Sequence, residues 1–246
     1  MGQGMKKRVG RGPEELRSIA LEPHASPYAE GSCLISAGST RVLCTASVEE
    51  RVPEWREESG KGWVTAEYGM LPRATHTRRA RERSGAGGRT REIQRLIGRS
   101  LRSVMDLELL GPRTIIVDAD VMQADGGTRT ASITGGWIAL ALACHKLVDE
   151  GVLAQNPLQD RVAAVSAGLV AGEARLDLDY PEDAGAQMDV NVVGTADGRL
   201  VEIQGTAEGD PVHRDTVDQI LDLALAGIAH LAELQRHCLD EATGGT

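Results

Sequence analysis

"RTIIVDADVMQADGGTRTASITGGWIALALACHKLVDEG", Arg113 to Gly151, is the stretch on which the fold turns. Its first third, RTIIVDADVMQAD, is rich in β-branched and aliphatic residues and reads as a strand. The last part, ASITGGWIALALACHKLVDEG, reads as a largely buried helix that ends near Gly151. The join between them is QADGGTRT, Gln123 to Thr130. A helix N-terminus carries free N–H groups and a partial positive charge. Gly126 and Gly127 let the backbone approach an anion closely, Thr128, Thr130 and Ser132 add hydroxyls, and Arg129 adds a planar fork suited to phosphate oxygens. The G-x-x-x-x-G-K-[ST] pattern and its lysine are missing, so this is no P-loop. Two readings stand at this point: a phosphate cradle, or a tight strand–helix turn capped by threonine.

Working outward, GSCLISAGSTRVLCTASV (31–48) reads as two short strands around a Gly-Ser turn. Residues 49–88 are poor in aliphatics and read as one long excursion. Residues 90–110 read as a helix, with Ile93, Leu96, Ile97, Leu101 and Val104 at helical spacing. DRVAAVSAGLVAGEARLDLDY (160–180) contains further strands. MDVNVVGTADGRLVEIQG (188–205) is a hairpin turning at Asp197-Gly198, and residues 214–240 form a last helix. Strands and helices mix in two successive halves with no evident linker, which predicts an α+β protein of packed layers and a single domain over 1–246.

Charge is divided along the chain. Residues 1–110 carry 19 Lys+Arg against 14 Asp+Glu, while residues 111–246 carry 8 against 22, for a net −9. Ten arginines lie between Arg73 and Arg102. The pattern suits a polyanion on one face and metal or acid chemistry on the other, or two solvated faces. The N-terminus is basic without a following apolar segment, which argues against a secretory signal, and no apolar run reads as a bilayer span of roughly 20 residues. Cys33, Cys44, Cys144 and Cys238 are scattered, as expected of reduced thiols in the cytoplasm. Phenylalanine is absent, so Leu, Ile, Val and Ala must fill the core.

Two more clusters carry chemistry. Arg91, Arg95, Arg99 and Arg102 share the helix face opposite the aliphatic stripe, and like charges at this spacing call for an anion or acidic groups opposite. LPRATHTRRARERSGAGGRT places five arginines before Arg89 in a glycine-containing loop suited to nucleic-acid phosphates, with almost no aromatic residues for base stacking. In LDLDYPEDAGAQMDVN, Asp177, Asp179, Glu182, Asp183 and Asp189 fall within thirteen residues. That density requires neutralising cations, Mg²⁺ being a suitable one, or else a solvated acidic turn.

Together these stretches resemble the ribonuclease PH family of phosphate-dependent 3′-exoribonucleases. The matching segments include LCTASVEERVPEW, GWVTAEYGMLPRATHTR, GRTREIQRLIGRSLR, QADGGTRTASITG, AAVSAGLV, LDLDYPEDAGAQMDVNVV and VEIQGTAEG, which span about residues 11–235. The resemblance implies two βαβ-type halves similar to the second domain of ribosomal protein S5, with mixed sheets and packed helices. It implies inorganic phosphate bound by Arg89, Gly127, Thr128 and Arg129. Asp183 and Asp189 are implied as catalytic and Mg²⁺-linked groups, with the choice between metal ligand and general acid left open. Arg73, Arg78 and Arg79 are implied in contacts with transfer RNA or between subunits, beside Arg95 and Arg99 of the helix face. The implied partners are tRNA precursors and other RNA 3′ ends, within a cytoplasmic homohexamer built as a trimer of dimers and without a membrane. The alternative is a non-catalytic RNA-binding ring subunit of an exosome-like assembly. Ala37, Val190 and Val212 depart from the family pattern and read as packing changes.

Overall fold

The computed structural model describes residues 8, 10–82 and 85–244. The first half is a five-stranded sheet of β1 (Ile19–Pro23), β2 (Gly31–Ala37), β3 (Thr40–Glu49), β4 (Trp63–Met70) and β5 (Thr114–Gln123), in spatial order β1-β2-β3-β5-β4. A single-turn helix, α1 (Glu54–Glu57), precedes β4. β4 runs parallel to β5 and reaches it through α2 (Gly88–Arg102) and the short α3 (Leu107–Leu110), a βαβ unit; the other pairs are antiparallel. The second half is a four-stranded sheet, order β7-β6-β8-β9, from β6 (Val162–Val170), β7 (Glu173–Leu176), β8 (Met188–Thr195) and β9 (Leu200–Ala207). β7 and β8 both run antiparallel to β6, so they share a direction and are joined across it through α5 (Tyr180–Asp183). The two halves correspond to the expected architecture.

Between the sheets lies α4 (Thr128–Asp149), buried along nearly its whole length. By length and composition it is apolar enough to cross a membrane, contrary to the expectation that no run would be; 83% of its apolar window is buried within the protein's own core. It packs on β2 and β3 with one side and on β6 with another. Alternate residues of β6 divide between two clusters. Val162 and Ala164 join the core around α4, while Ala163, Val165 and Ala167 pack with α6 (Arg214–Thr243). Branched aliphatics and alanines fill the large core, with Trp137 and Tyr68 its bulkiest members. Ala37 and Val190, two of the departures from the family pattern, are both buried, Val190 in the second cluster. All four cysteines are free and buried.

Three sequence expectations need correction. Residues 49–88 are not one irregular excursion: Trp63–Met70 forms β4, its inner face made by Val64, Ala66 and Tyr68. The helix expected over 90–110 stops at Arg102, and Asp106 accepts from the N–H groups of Glu108 and Leu109 to start α3 afresh. Arg102 does not belong to the free arginine face. Its guanidinium lies 4.1 Å from the Trp63 ring centroid and donates to the Val64 carbonyl at 2.6 Å.

Candidate active site

β5 delivers the chain to the N-terminus of α4. The turn is made by Gly126 (φ 78°) and Gly127 (φ 66°), both in the left-handed region that favours glycine. A side chain at Gly126 would also strike the backbone of Leu178–Tyr180 at 2.6–2.9 Å, so the loop is pressed onto the start of α5. Thr40 fixes the loop from β3: its hydroxyl donates to the Gly126 carbonyl at 2.7 Å and accepts from the Asp125 N–H at 2.9 Å. The first helical bond is from Ala131 N–H to the Gly127 carbonyl at 3.0 Å. The N–H groups of Gly127, Thr128 and Arg129 therefore precede the helical ladder and are left for an outside acceptor.

The side chains around this terminus come from both halves. Thr128 Oγ1 lies 2.9 Å from the Tyr68 hydroxyl on β4. Arg129 donates to Gln204 Oε1 on β9 at 3.0 Å and lies 3.8 Å from Glu92 on α2, joining first half to second. Arg89, in the first turn of α2, lines a cleft of about 350 Å³ with Tyr68, Arg79, Thr90 and Asp120. Burial pushes the Tyr68 phenol up, against the Thr128 hydrogen bond and the nearby charges of Arg89, Arg129 and Arg79. Of the other arginines singled out in the sequence, Arg73, Arg78 and Arg95 are exposed, and Arg99 pairs with Glu202 of β9 at 2.9 Å. Arg83 of the same loop lies outside the described residues.

The acidic segment separates into two sets. Glu182 is clamped by Arg8 (2.7 Å), Arg175 (3.0 Å) and Arg11 (3.3 Å), and Asp177 by Arg17 (2.7 Å). Asp179 closes a capping box with Glu182 at the start of α5. The density of carboxylates is therefore met in large part by the chain's own arginines, where the sequence pattern alone leaves bound cations or a solvated acidic turn. The second set is Asp183, at the end of α5, and Asp189, on β8. Burial and then the Asp189 charge raise the Asp183 carboxyl above its usual range, against Arg129 and Arg89, which lower it. Arg129 of the loop and Arg89 of α2 thus both act on the Asp183 carboxyl. Among the described residues no group of three or more His, Cys, Asp or Glu side chains forms a metal cage. An exposed Asp183 and a half-buried Asp189 suit Mg²⁺, which keeps waters and binds through one or two carboxylates, better than a closed zinc or calcium site.

Reasoning from the sequence misses Tyr68, Gln204 and Arg17. Tyr68 is hidden with β4; Gln204 and Arg17 carry no local pattern.

A glycine-turned helix N-terminus with unpaired N–H groups, with Arg129 in its first turn and the segment that leads to Asp183 packed against it, has the make-up of an anion-handling site. Comparison with known proteins gives the particular family. Residues 15–145 match domain 1 and residues 160–227 match domain 2 of the 3′ exoribonuclease family, and the chain belongs to it. It is 54% identical over 237 residues to ribonuclease PH of Neisseria meningitidis and of Neisseria gonorrhoeae, covering 96% of this chain and 98% of each relative. Its fold is similar to that in an Archaeoglobus fulgidus exosome with RNA bound to the active site (TM-score 0.79, 22% identity, 93% of this chain and 92% of that one). It is also similar to an archaeal exosome core (TM-score 0.74, 21% identity, 92% and 90%).

Proposed function

We propose that this enzyme shortens tRNA precursors and other RNA from the 3′ end by phosphorolysis, with inorganic phosphate on the Gly126–Arg129 loop. The observation that supports the reading is the packing of that loop, from the first half, against Leu178–Tyr180 of the second, the start of the segment that leads to Asp183 and then Asp189. Phosphate is received by the N–H groups of Gly127, Thr128 and Arg129 and by the guanidinium groups of Arg89 and Arg129, which fix its orientation and offset its charge. A phosphate oxygen attacks the last phosphodiester phosphorus, and the bond to the 3′-oxygen breaks. A nucleoside diphosphate leaves, and the shortened RNA takes up a proton at its new 3′-hydroxyl. Asp183 and Asp189 would hold Mg²⁺, which supplies charge neutralisation at the scissile phosphate and departing oxygen. In the reverse direction the same groups add nucleotides from diphosphates.

Product identity tests this. Diphosphates formed only when phosphate is added support phosphorolysis. Monophosphates would establish hydrolysis instead, and no product would leave an RNA-binding ring subunit. The retention of Arg89, the loop and both aspartates favours catalysis over that alternative. We further propose a homohexamer, a trimer of dimers in the cytoplasm, supported by the family resemblance and by exosome structures as neighbours of the fold. Sedimentation equilibrium tests it; a monomer at working concentration would overturn it.

A further inference from the structure

The anion loop and the aspartate-bearing segment come from different halves, and one buried ion pair joins them. Arg17, just before β1, and Asp177, just before α5, have side chains 8% and 6% exposed. The guanidinium grips the carboxylate with two contacts, Nε to Oδ2 at 3.0 Å and Nη2 to Oδ1 at 2.7 Å, and the Arg17 backbone N–H adds a third at 2.7 Å. The remaining nitrogen, Nη1, points the other way. It donates to the Asp125 carbonyl at 2.6 Å and lies 3.5 Å from the Gly126 carbonyl. Nη2 also abuts the loop, since a Cβ at Gly127 would lie 2.9 Å from it. On the other side, Asp177 is itself fixed: its N–H bonds to the Ser166 carbonyl at 2.6 Å and its backbone stands at φ 53°. A residue held left-handed without being glycine marks a place that the surroundings determine tightly.

A peptide's carbonyl and the next residue's N–H point in opposite directions. Drawing the Asp125 and Gly126 carbonyls back toward Arg17 and Thr40 turns the N–H groups of Gly126 and Gly127 outward, toward the anion. The same guanidinium anchors the segment that leads, six residues after Asp177, to Asp183. We propose that Arg17 is a positioning residue for phosphate: through Asp177 and the Asp125 carbonyl it holds the phosphate loop at a fixed setting against the aspartate pair. Arg17 touches neither substrate nor reacting atoms. The inference rests on the phosphorolytic reading above, because it assigns the loop to phosphate.

Arg17→Lys and Arg17→Met separate positioning from folding. Lysine keeps a charge for Asp177 but has one nitrogen on a flexible stem, so it cannot fork to the carboxylate and reach the Asp125 carbonyl together. The expected result for both variants is a rise of about tenfold or more in the KM for phosphate, equivalent to about 1.4 kcal/mol. The KM for RNA should stay within about twofold. Phosphate titrations of thermal melting give the same comparison without turnover, the half-saturating phosphate rising in parallel. A merely structural role would lower the melting temperature and leave half-saturating phosphate unchanged; that result overturns the proposal. If Arg17→Met does not fold, Arg17→Lys decides alone. The wild type separates the two readings. A wild type whose melting responds to phosphate, with variants responding identically, sinks the positioning role only. A wild type that neither responds to phosphate nor forms diphosphates sinks both.

Discussion

Asp189 sits on β8 opposite Gly168 of β6 and Thr206 of β9, so its carboxylate is carried by a strand paired on both sides. Its neighbour Val190 points into the second core, which locks the alternation and keeps Asp189 on the site face. Rigid placement suits a group that must hold a cation or a proton at one point. Asp189→Asn keeps the shape and removes the charge. Turnover should fall by roughly 10²-fold or more, the scale of a missing metal or acid contribution. RNA affinity should hold or rise slightly, and melting should change little; single-turnover rates and binding curves on one preparation check this, and near-wild-type turnover would refute the assignment. A different carboxylate predicts a pH effect. The parallel ladder sets Glu67 directly opposite Asp118, and Asp120 follows two residues along. Burial first, then these two charges, push the Asp118 carboxyl above its usual range. A folded-state pKa above the unfolded one means that the ionised carboxylate opposes folding at neutral pH, and that this opposition fades as pH falls through the folded value. Asp118→Asn should therefore melt higher than wild type near pH 7. The gap should close as the pH drops below the unfolded carboxylate range. A gap independent of pH would attribute the effect to packing.

α2 and the loop before it concentrate the chain's arginines, and the structure divides their work. Arg89 and Arg79 line the cleft beside Tyr68, Arg102 is turned inward onto Trp63, Arg99 is paired across to β9, and Arg73, Arg78 and Arg95 face outward. On the proposed function, this exposed set is the part of the helix and loop that would meet RNA phosphates. Replacing Arg73, Arg78 and Arg95 with glutamine should weaken RNA binding and flatten its dependence on log salt, by roughly one unit of slope for each RNA phosphate that is no longer neutralised. Filter binding from low to moderate salt reads this directly; an unchanged slope would assign these arginines to the interfaces between subunits. The same elements show what can be read in advance. The hairpins at Gly38-Ser39 and Asp197-Gly198 and the buried α4 are legible, because turn residues and apolar periodicity are local signals. β4 is not: its sequence, WVTAEYGM, mixes Thr, Glu and Gly into its outward positions, and its strand character comes from pairing with β5, some fifty residues later. The break after Arg102 is hidden because the apolar spacing continues through Val104, while the new start is made by the Asp106 cap. In the site, the glycine loop, Arg89 and the two aspartates can be named from motifs. Arg17, Tyr68 and Gln204 cannot, since each acquires its role from a partner distant in sequence.

A core of this size without phenylalanine must fill its space by bringing backbones close rather than by inserting large rings. α4 shows how. Where it crosses the first sheet it carries Gly135 and Gly136, and alanines recur along the buried turns that follow. The two glycines face different neighbours. A Cβ on Gly135 would lie 2.7 Å from Cγ2 and 3.1 Å from Cβ of Ile35, on β2, with the Cys44 sulfur at 3.2 Å. A Cβ on Gly136 would meet only Cγ1 of Val117 at 3.3 Å and Cδ1 of Leu101 at 3.8 Å. Both substitutions to alanine gain about 1 kcal/mol of intrinsic helix propensity, because both sit inside a helix. At Gly136 the approach is tight by only a few tenths of an ångström and the neighbouring methyl can give, so the propensity gain should equal or exceed the packing cost. At Gly135 the methyl would press on the branched Cβ of a fully buried isoleucine, where overpacking typically costs about 1–3 kcal/mol. The sign should therefore reverse between adjacent residues. Gly136→Ala is expected to be neutral or stabilising and Gly135→Ala destabilising, by a net 0 to about 2 kcal/mol after the propensity gain. Denaturant melts of the two variants beside wild type test the contrast. If Gly135→Ala proved the more stable of the pair, the close approach of α4 to β2 would not be what seals this core.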